Sequence, residues 1–365
     1  MAQIPNIENL TINPVEVQDL REVIAQAIYQ DPNWKRLHAV ADGISKKTQR
    51  LLDDSSGKLG WKATGCAVVQ SGGASIKLAQ KYWEPVTIED MIDFCQADLD
   101  VNFKPLVIRN AADKFGALTD QEAINIFVSA KLEQYLKEAV QRLAFLGDTE
   151  IENVADGGNL KDTVNVKFYN SVDGWWKQMV AGVVATTTPH TNIAANEEAT
   201  KALQLSALTD AAAFAVIKGI YDKADDALKL DANAYIWATP AIYNGYKNYI
   251  TSGEFANGGF SEKIINGVSN VAYQGIPIYT DVFLGKLILN DFEVSDGASP
   301  AVMTYDFPHR AYMATPDVLP MATTNIDDFG KLESEYVWKD RKSYVRFDFA
   351  IDAKVIRPDM ISVAY

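Results

Sequence analysis

The sequence predicts an α+β protein, and three observations carry that reading: an unbroken helical stripe over residues 119–147, a middle in which short apolar strands alternate with helices, and a run of closing antiparallel strands. The 365 residues, 48% hydrophobic and 22% charged, suffice for one large core or two medium ones.

The formal charge of −14 argues against a protein that grips phosphate backbones, because such binding needs clustered Lys and Arg to displace counterions. Two cysteines, Cys66 and Cys95, are too few for a disulfide framework and read as small buried hydrophobes. With Glu8, Glu16 and Asp19 near the start and no apolar h-region, synthesis in a reducing, intracellular compartment is expected. The most apolar long window, 203–220, is broken by Asp210 and Lys218, short of the ~20 residues a membrane helix needs.

Residues 1–13 read as a polar arm, and 14–29 as a helix with Pro14 in its first turn and Val17, Leu20, Val23, Ile24 and Ala27 inward. Asp31-Pro32-Asn33 ends it, and Trp34, Leu37, Val40, Ala41, Ile44 and Leu51 suggest a second amphipathic segment before a loop at 53–60. Over 61–82 the period changes to two. Trp61, Ala63, Gly65, Ala67 and Val69, then Ile76, Leu78 and Tyr82 after Ser71-Gly72-Gly73, spell a β-hairpin. Its residues are too small to build a core of their own, and a two-stranded hairpin is marginal alone, so a neighbouring subunit is the expected cover.

A short helix is expected over 87–99, with Ile88, Met91, Ile92 and Cys95 inward, and a strand over 105–108. The spine follows. Thr119 and Glu122 form a capping box. Ile124, Val128, Leu132, Tyr135, Ala139, Leu143 and Leu146, widened by Phe127, Leu136 and Val140, make its buried face. Gly147 is expected to end it in a left-handed C′ position, after a helix of roughly 40 Å.

Beyond a Gly-rich crossover at 148–159, the pattern gives a strand at 164–168, a helix at 172–185, a Thr-rich loop to Pro189, a long helix at 206–228 and a strand at 233–238. Thr239-Pro240 opens a helix with Ile242, Tyr243, Tyr246 and Ile250 inward. A loop at 253–259 and strands at 275–279, 287–289, 301–305 and 311–314 come next. The final hairpin sets Leu332, Tyr336 and Trp338 against Val345, Phe347, Phe349 and Ile351 around Asp340-Arg341-Lys342, and the apolar terminus 360–365 reads as packed.

Motifs that carry chemistry are missing from the sequence: no P-loop, dinucleotide fingerprint, nucleophile elbow, paired-histidine helix or CxxC. His38, His190 and His309 lie far apart and read as structural. Asp98, Asp100 and Asn102 imitate the start of a calcium loop, but Phe103 and Lys104 stand at the turn and Arg109 where a bidentate glutamate belongs. Asp222, Asp225 and Asp226 read as a solvated face, and Tyr243, Tyr246 and Tyr249 fit a packed helix as well as a ligand-stacking one. No catalytic residue, metal or cofactor is expected.

The order of elements, together with Ala144-Phe145-Leu146-Gly147-Asp148, Ala234-Tyr235-Ile236-Trp237-Ala238-Thr239-Pro240, Gly275-Ile276-Pro277-Ile278 and Arg346-Phe347-Asp348-Phe349 leading to Val355-Ile356-Arg357-Pro358, resembles the major capsid proteins of the Hong Kong 97 fold, carried by tailed bacteriophages. The resemblance spans nearly the whole chain. It implies an N-arm (1–58), an extended E-loop hairpin (59–84), a peripheral domain with the spine helix (85–150 and 326–365) and an axial domain (151–325). It also implies a protein that assembles with itself, through pentamers and hexamers, into an icosahedral shell in the virion, built in the host cytoplasm. Such a shell encloses double-stranded DNA without reading its sequence, with portal, scaffolding and decoration proteins as further partners and no membrane.

Inter-subunit contacts are then expected from Trp61, Lys62, Val69, Ile76, Lys77, Leu78 and Tyr82. Some family members join subunits by a lysine–asparagine isopeptide bond. Lys62, Lys77 and Lys81 lie in the hairpin, but no acceptor asparagine with a promoting glutamate can be matched, and no crosslink is expected. The chain reaches its arm too early for a fused scaffold, so a separate scaffolding protein or none is expected. The alternatives are an encapsulin-like compartment shell, an α/β enzyme with an unrecognised site, and a tail or surface-layer protein.

Overall fold

The structure, a computed structural model, describes residues 36–44, 47–53, 78–95, 134–251, 262–265, 268–298, 301–324, 332–337, 339 and 342–365. Outside them lie the expected helix at 14–29, the cap at Thr119 and Glu122, the strand at 105–108, the calcium-loop imitation, the loop at 253–259, Trp338 and Cys66.

A seven-stranded mixed sheet forms the centre of one lobe, in the order His190–Thr191, Ser362–Ala364, Ala311–Ala314, Tyr235–Ala238, Ile276–Tyr279, Val268–Tyr273, Glu262–Ile265. Alternation along its strands splits the hydrophobic core in two. Tyr235, Trp237, Tyr312, Ala314 and Val363 face the spine helix and Trp175–Val184, with Phe145 4.7 Å from the Trp237 ring. Ile236, Ala238, Ala311, Met313 and Ala364 face the helices Asp210–Lys223 and Pro240–Thr251 through Ala213, Ile217, Ile220, Ile242 and Tyr246. Burial of each large apolar side chain here contributes about 1.5–3 kcal/mol, which makes the sheet the rigid frame of the lobe.

A second sheet is organised by one long strand, Lys342–Ala353. It pairs antiparallel with Leu332–Val337, with Val86–Cys95 and, at its end, with Met321–Ala322, which in turn runs parallel to Val40–Ala41. Phe347, Phe349, Ile351 and Ala353 bury themselves in the spine-side core, as their alternation predicted. The C-terminal strand Ser362–Ala364 is fully buried within the central sheet, so that end of the chain is packed.

Several elements differ from the sequence expectation, each for a physical reason. Residues 86–95 form a strand, not a helix. The spacing of Ile88, Met91, Ile92 and Cys95 is that of a helix face, and ten cross-strand pairs with the long strand override it, leaving Met91 exposed. Residues 282–291 form a helix, not a strand, because Asp281 caps it by accepting from the amides of Phe283 (2.8 Å) and Leu284 (3.3 Å). The expected strand at 164–168 is a turn with a 3-10 segment, Val166–Phe168, capped by Asn165.

The expected long helix at 206–228 is divided into Lys201–Ala207, Asp210–Lys223 and Asp226–Leu230, because Thr209 and Asp225 cap new starts at 3.2 and 2.7 Å. Among the described residues no single helix is long and apolar enough to cross a membrane. The pair Lys201–Ala207 and Asp210–Lys223 reaches that composition together but is bent by 76°. The second amphipathic segment gives way to the strands Val40–Ala41 and Thr48–Asp53.

The spine is helical over 134–146, with Leu136, Val140 and Leu143 at the centre of its buried face and Tyr135 turned out, 48% exposed. Gly147 is not left-handed. Glycine is required there by crowding, since a Cβ would lie 2.3 Å from the Val172 carbonyl oxygen and 2.5 Å from that of Leu143. The segment 172–174 passes directly over the helix end, and the Gly174 amide donates to the Gly147 carbonyl at 2.8 Å.

Candidate functional site

A two-stranded sheet separate from the two larger ones pairs Thr48–Asp53 with Leu78–Trp83, with Thr48 opposite Trp83 and Asp53 opposite Leu78. Among the described residues the partner of 78–83 is 48–53, while the segment 61–69 that the Ser71-Gly72-Gly73 signal sets against it lies outside them. Sequence separation hides such a pairing from a local pattern. Trp61, Lys62, Val69, Ile76 and Lys77 lie outside the described residues. Leu78 opens the returning strand, and Tyr82 is 42% exposed near its end.

The root of this hairpin is built from several kinds of contact. Trp83, 3% exposed, packs into a small core of Ile44, Ala322 and Ile356. One residue on, the Glu84 amide donates to Asp352 Oδ2 at 2.8 Å. Asp352 is 1% exposed at the end of the long strand, and its other oxygen meets Lys354 Nζ at 3.3 Å. Burial pushes the Asp352 carboxyl up from its ordinary range, while the Glu84 amide and Lys354 oppose that rise.

On the neighbouring strand position, Lys81 Nζ donates to the Val355 carbonyl. Burial and the like charge of Lys354 lower its pKa. At the surface Lys47 pairs with Glu84 and lies 4.9 Å from the Tyr82 ring, contacts that add little because both charged groups are more than half exposed. The long strand thus reaches from the core to the foot of the hairpin and holds it with the buried Asp352 carboxylate, while Trp83 anchors the same foot in a small core of its own.

The remaining polar groups that sequence reading singled out serve the fold. His38 stacks on Trp175 with ring centroids 3.9 Å apart and donates from Nδ1 to the Leu319 carbonyl at 3.2 Å. Burial lowers its pKa to about 3, so it is neutral. His309 donates from Nε2 to the Gln204 carbonyl at 2.9 Å, and burial lowers it as well. His190 is half-buried at a sheet edge beside Tyr365, lowered again by burial. Asp222 pairs with Lys218, Asp225 caps a helix and Asp226 pairs with Lys229, the solvated arrangement expected. Tyr246 is buried while Tyr243 and Tyr249 pack half-buried against the same core, which favours the packing role. Among the described residues no group of three or more His, Cys, Asp or Glu side chains could hold a metal ion.

One feature carried no signal in the sequence. Arg310 is 1% exposed, ion-paired with Asp306 at 3.3 Å and bonded to the carbonyls of Asp306 and Phe307 at 2.8 Å each. Its guanidinium lies 4.7 Å from the Trp176 ring, and burial lowers its pKa to about 10. The arrangement ties loop 306–310 to the core, with Phe307 in a left-handed conformation, φ 42°.

No family model matches the sequence, and no curated protein matches it. Solved structures do. One is a chain in the procapsid of satellite phage P4, solved together with its size-determination protein: TM-score 0.51, 10% identity, 95% of this chain and 98% of that one. Another is from Gordonia phage Cozz, at 0.46 and 10%, over 91% and 85% of the two chains. A third is from the holo-SrpI encapsulin complex of Synechococcus elongatus, at 0.42 and 8%, over 91% and 86%. Only the first of these three passes 0.5, and it covers both chains almost end to end. An α+β frame of two larger sheets sharing one core, with a separate two-stranded sheet beside them, therefore agrees with the expectation from sequence: the fold is that of the major capsid proteins of tailed phages, the Hong Kong 97-type capsid fold.

Proposed function

We propose that this chain is the major capsid protein of a tailed phage, assembling through pentamers and hexamers into an icosahedral shell around double-stranded DNA. One observation carries the proposal. The hairpin Thr48–Asp53/Leu78–Trp83 stands outside both sheets, and it is fixed to the rest of the chain at its foot by Trp83 and Asp352. Two strands alone are marginal in water. A hairpin held out in this way becomes stable when it lies on a neighbour, and rings closed by heterologous contacts place a neighbour at every such hairpin.

In this reading residues 1–58 serve as the N-arm, 59–84 as the E-loop, 85–150 with 326–365 as the peripheral domain and 151–325 as the axial domain. The strand Thr48–Asp53 then passes from the arm into the base of the E-loop. Tyr82 and Leu78, with Trp61, Lys62, Val69, Ile76 and Lys77 beyond them, supply contacts to the next subunit. Obligate assemblies commonly bury more than ~2,000 Å² per interface, so many weak contacts of this kind sum to a shell that resists dissociation. The charge of −14 fits a container that must release its DNA. Portal, scaffolding and decoration proteins are the expected partners, the virion capsid the expected location, and a structural, non-enzymatic role follows.

Negative-stain electron microscopy of the purified protein, expressed with and without its neighbouring genes, tests this. Closed polyhedral particles or capsomer-sized rings are expected, with nucleic acid inside particles taken from the native source. A monomer or dimer under every condition refutes the shell. Shells carrying a co-purifying enzyme in place of nucleic acid refute the viral half of the proposal, in favour of a compartment.

A further inference from the structure

The foot of the hairpin holds a charge that the described part of the chain leaves without a counter-ion. Lys81 is half-buried, and its ammonium donates to one backbone carbonyl, that of Val355. Among the described residues no carboxylate pairs with it. The nearest acid–base pair is already spent, because Asp352 accepts from the Glu84 amide at 2.8 Å and meets Lys354 at 3.3 Å. Glu84, the other acid at this foot, is engaged by Lys47 on the opposite side of the ladder. Lys354 adds a second positive charge beside Lys81.

Partial burial of an ammonium is costly unless an opposite charge offsets it, and a like charge nearby raises that cost. The depressed pKa of Lys81 reports the same imbalance. A cationic spot is also out of character for a chain with 48 acidic and 34 basic residues. A second copy of such a chain presents carboxylates in excess, several of them exposed at its surface, such as Glu152, Asp156 and Asp317.

We propose that Lys81 is an inter-subunit ion-pair residue, receiving an Asp or Glu side chain from a second copy of this chain at the foot of the hairpin. The inference rests on the shell reading and deepens it. It states that the hairpin is clamped to its neighbour at its base by charge, in addition to any apolar contact along its length. Partner acidity, rather than shape alone, then contributes to which surfaces meet, as charged pairs do at other interfaces.

The test uses particles assembled from a mixture of unlabelled and ¹⁵N-labelled chains, treated with a zero-length carbodiimide reagent that joins an amine to a carboxylate only at ion-pair distance. Mass spectrometry of the digest is expected to give a Lys81 peptide joined to an Asp- or Glu-containing peptide with mixed-isotope partners, and Lys81→Gln particles are expected to lose that species. Crosslinks of Lys81 confined to single-isotope pairs, or none from Lys81 while other lysines react, overturn the inference and leave the shell intact. Failure to form particles at all, seen by microscopy before the reagent is added, overturns the shell reading and this inference together.

Discussion

Replacing Gly147 separates two accounts of how the spine helix ends. If glycine were there to supply a left-handed residue, Ala would cost about 1–2 kcal/mol and Asn, which tolerates that conformation, less. The structure instead puts two backbone oxygens, those of Val172 and Leu143, at 2.3 and 2.5 Å from any Cβ. Neither oxygen can swing aside as a side chain does, so the spine and the segment ahead of Trp175 must part by about an ångström, an overpacking cost of about 1–3 kcal/mol.

Two hydrogen bonds cross the same junction, from Gly174 N to Gly147 O at 2.8 Å and from Asp148 N to Tyr169 O at 2.9 Å. Their weakening adds about 1 kcal/mol each, against a gain of about 0.4–1 from the lower entropy of the unfolded chain when alanine replaces glycine. Gly147→Ala should therefore cost about 3 kcal/mol, and Gly147→Asn, which is larger, more. Urea unfolding of the unassembled subunit, followed by the fluorescence of the buried Trp175 and Trp176 at fixed protein concentration, measures both. Asn milder than Ala, or Ala within about 1 kcal/mol of the parent, would refute the crowding account.

Three further substitutions have signs and sizes set by the structure. Trp83→Ala should loosen the hairpin locally: amide exchange should quicken across 78–83 while 235–238 keeps its protection, and equal acceleration in both would show that Trp83 is no local anchor. Asp306→Ala leaves the buried charge of Arg310 uncompensated and should cost about 3–5 kcal/mol in urea unfolding. Arg346→Gln, which breaks the exposed pair with Glu89, should cost less than about 1, and the reverse order would contradict the burial argument.

His38 is neutral in the fold, with its pKa lowered to about 3, whereas the unfolded chain takes up a proton near 6.5. Its contribution to stability is therefore complete above pH 6.5 and is lost as pH falls toward 3, at up to about 1.4 kcal/mol per pH unit. His38→Phe keeps the stack on Trp175 and should flatten that slope, leaving the smaller same-sign shares of His190 and His309; parallel pH profiles for variant and parent would refute it.

What could be read from the chain follows what is local and what is not. The alternation Val345, Phe347, Phe349, Ile351 and the Thr239-Pro240 start are local signals, and both appear where expected. The strand at 86–95 was illegible as a strand because its ten partners lie some 250 residues away, and the pairing of 78–83 with 48–53 was missed for the same reason. The helix breaks at Thr209 and Asp225 carried their signals openly, as capping residues inside an apolar run, and the periodicity outweighed them. At the candidate site, Tyr82 and Leu78 were visible as hairpin residues. Asp352, Lys354 and Lys81 became a group only when the long strand brought 352–355 beside the hairpin foot, a contact no spacing rule encodes.

The same geometry gives the proposed shell a physical reason to assemble instead of stopping as a monomer. Both faces of the central sheet are covered from within the chain, so that lobe needs no partner. The hairpin differs: its strands pair with each other, its foot rests on Trp83 and Asp352, and Tyr82 points outward. The long strand bridges the core and the hairpin foot, buried at Ile351 and Ala353, accepting from the Glu84 amide at Asp352 between them and followed at once by Lys354. A load placed on the hairpin by a neighbour is therefore borne by a strand whose opposite side is locked into the spine-side core. In the proposed shell, an extended element anchored at its root by Trp83 and Asp352, with Tyr82 exposed beside it, gains free energy from a second copy without any rearrangement of the first, which is the condition for closed assembly from identical chains.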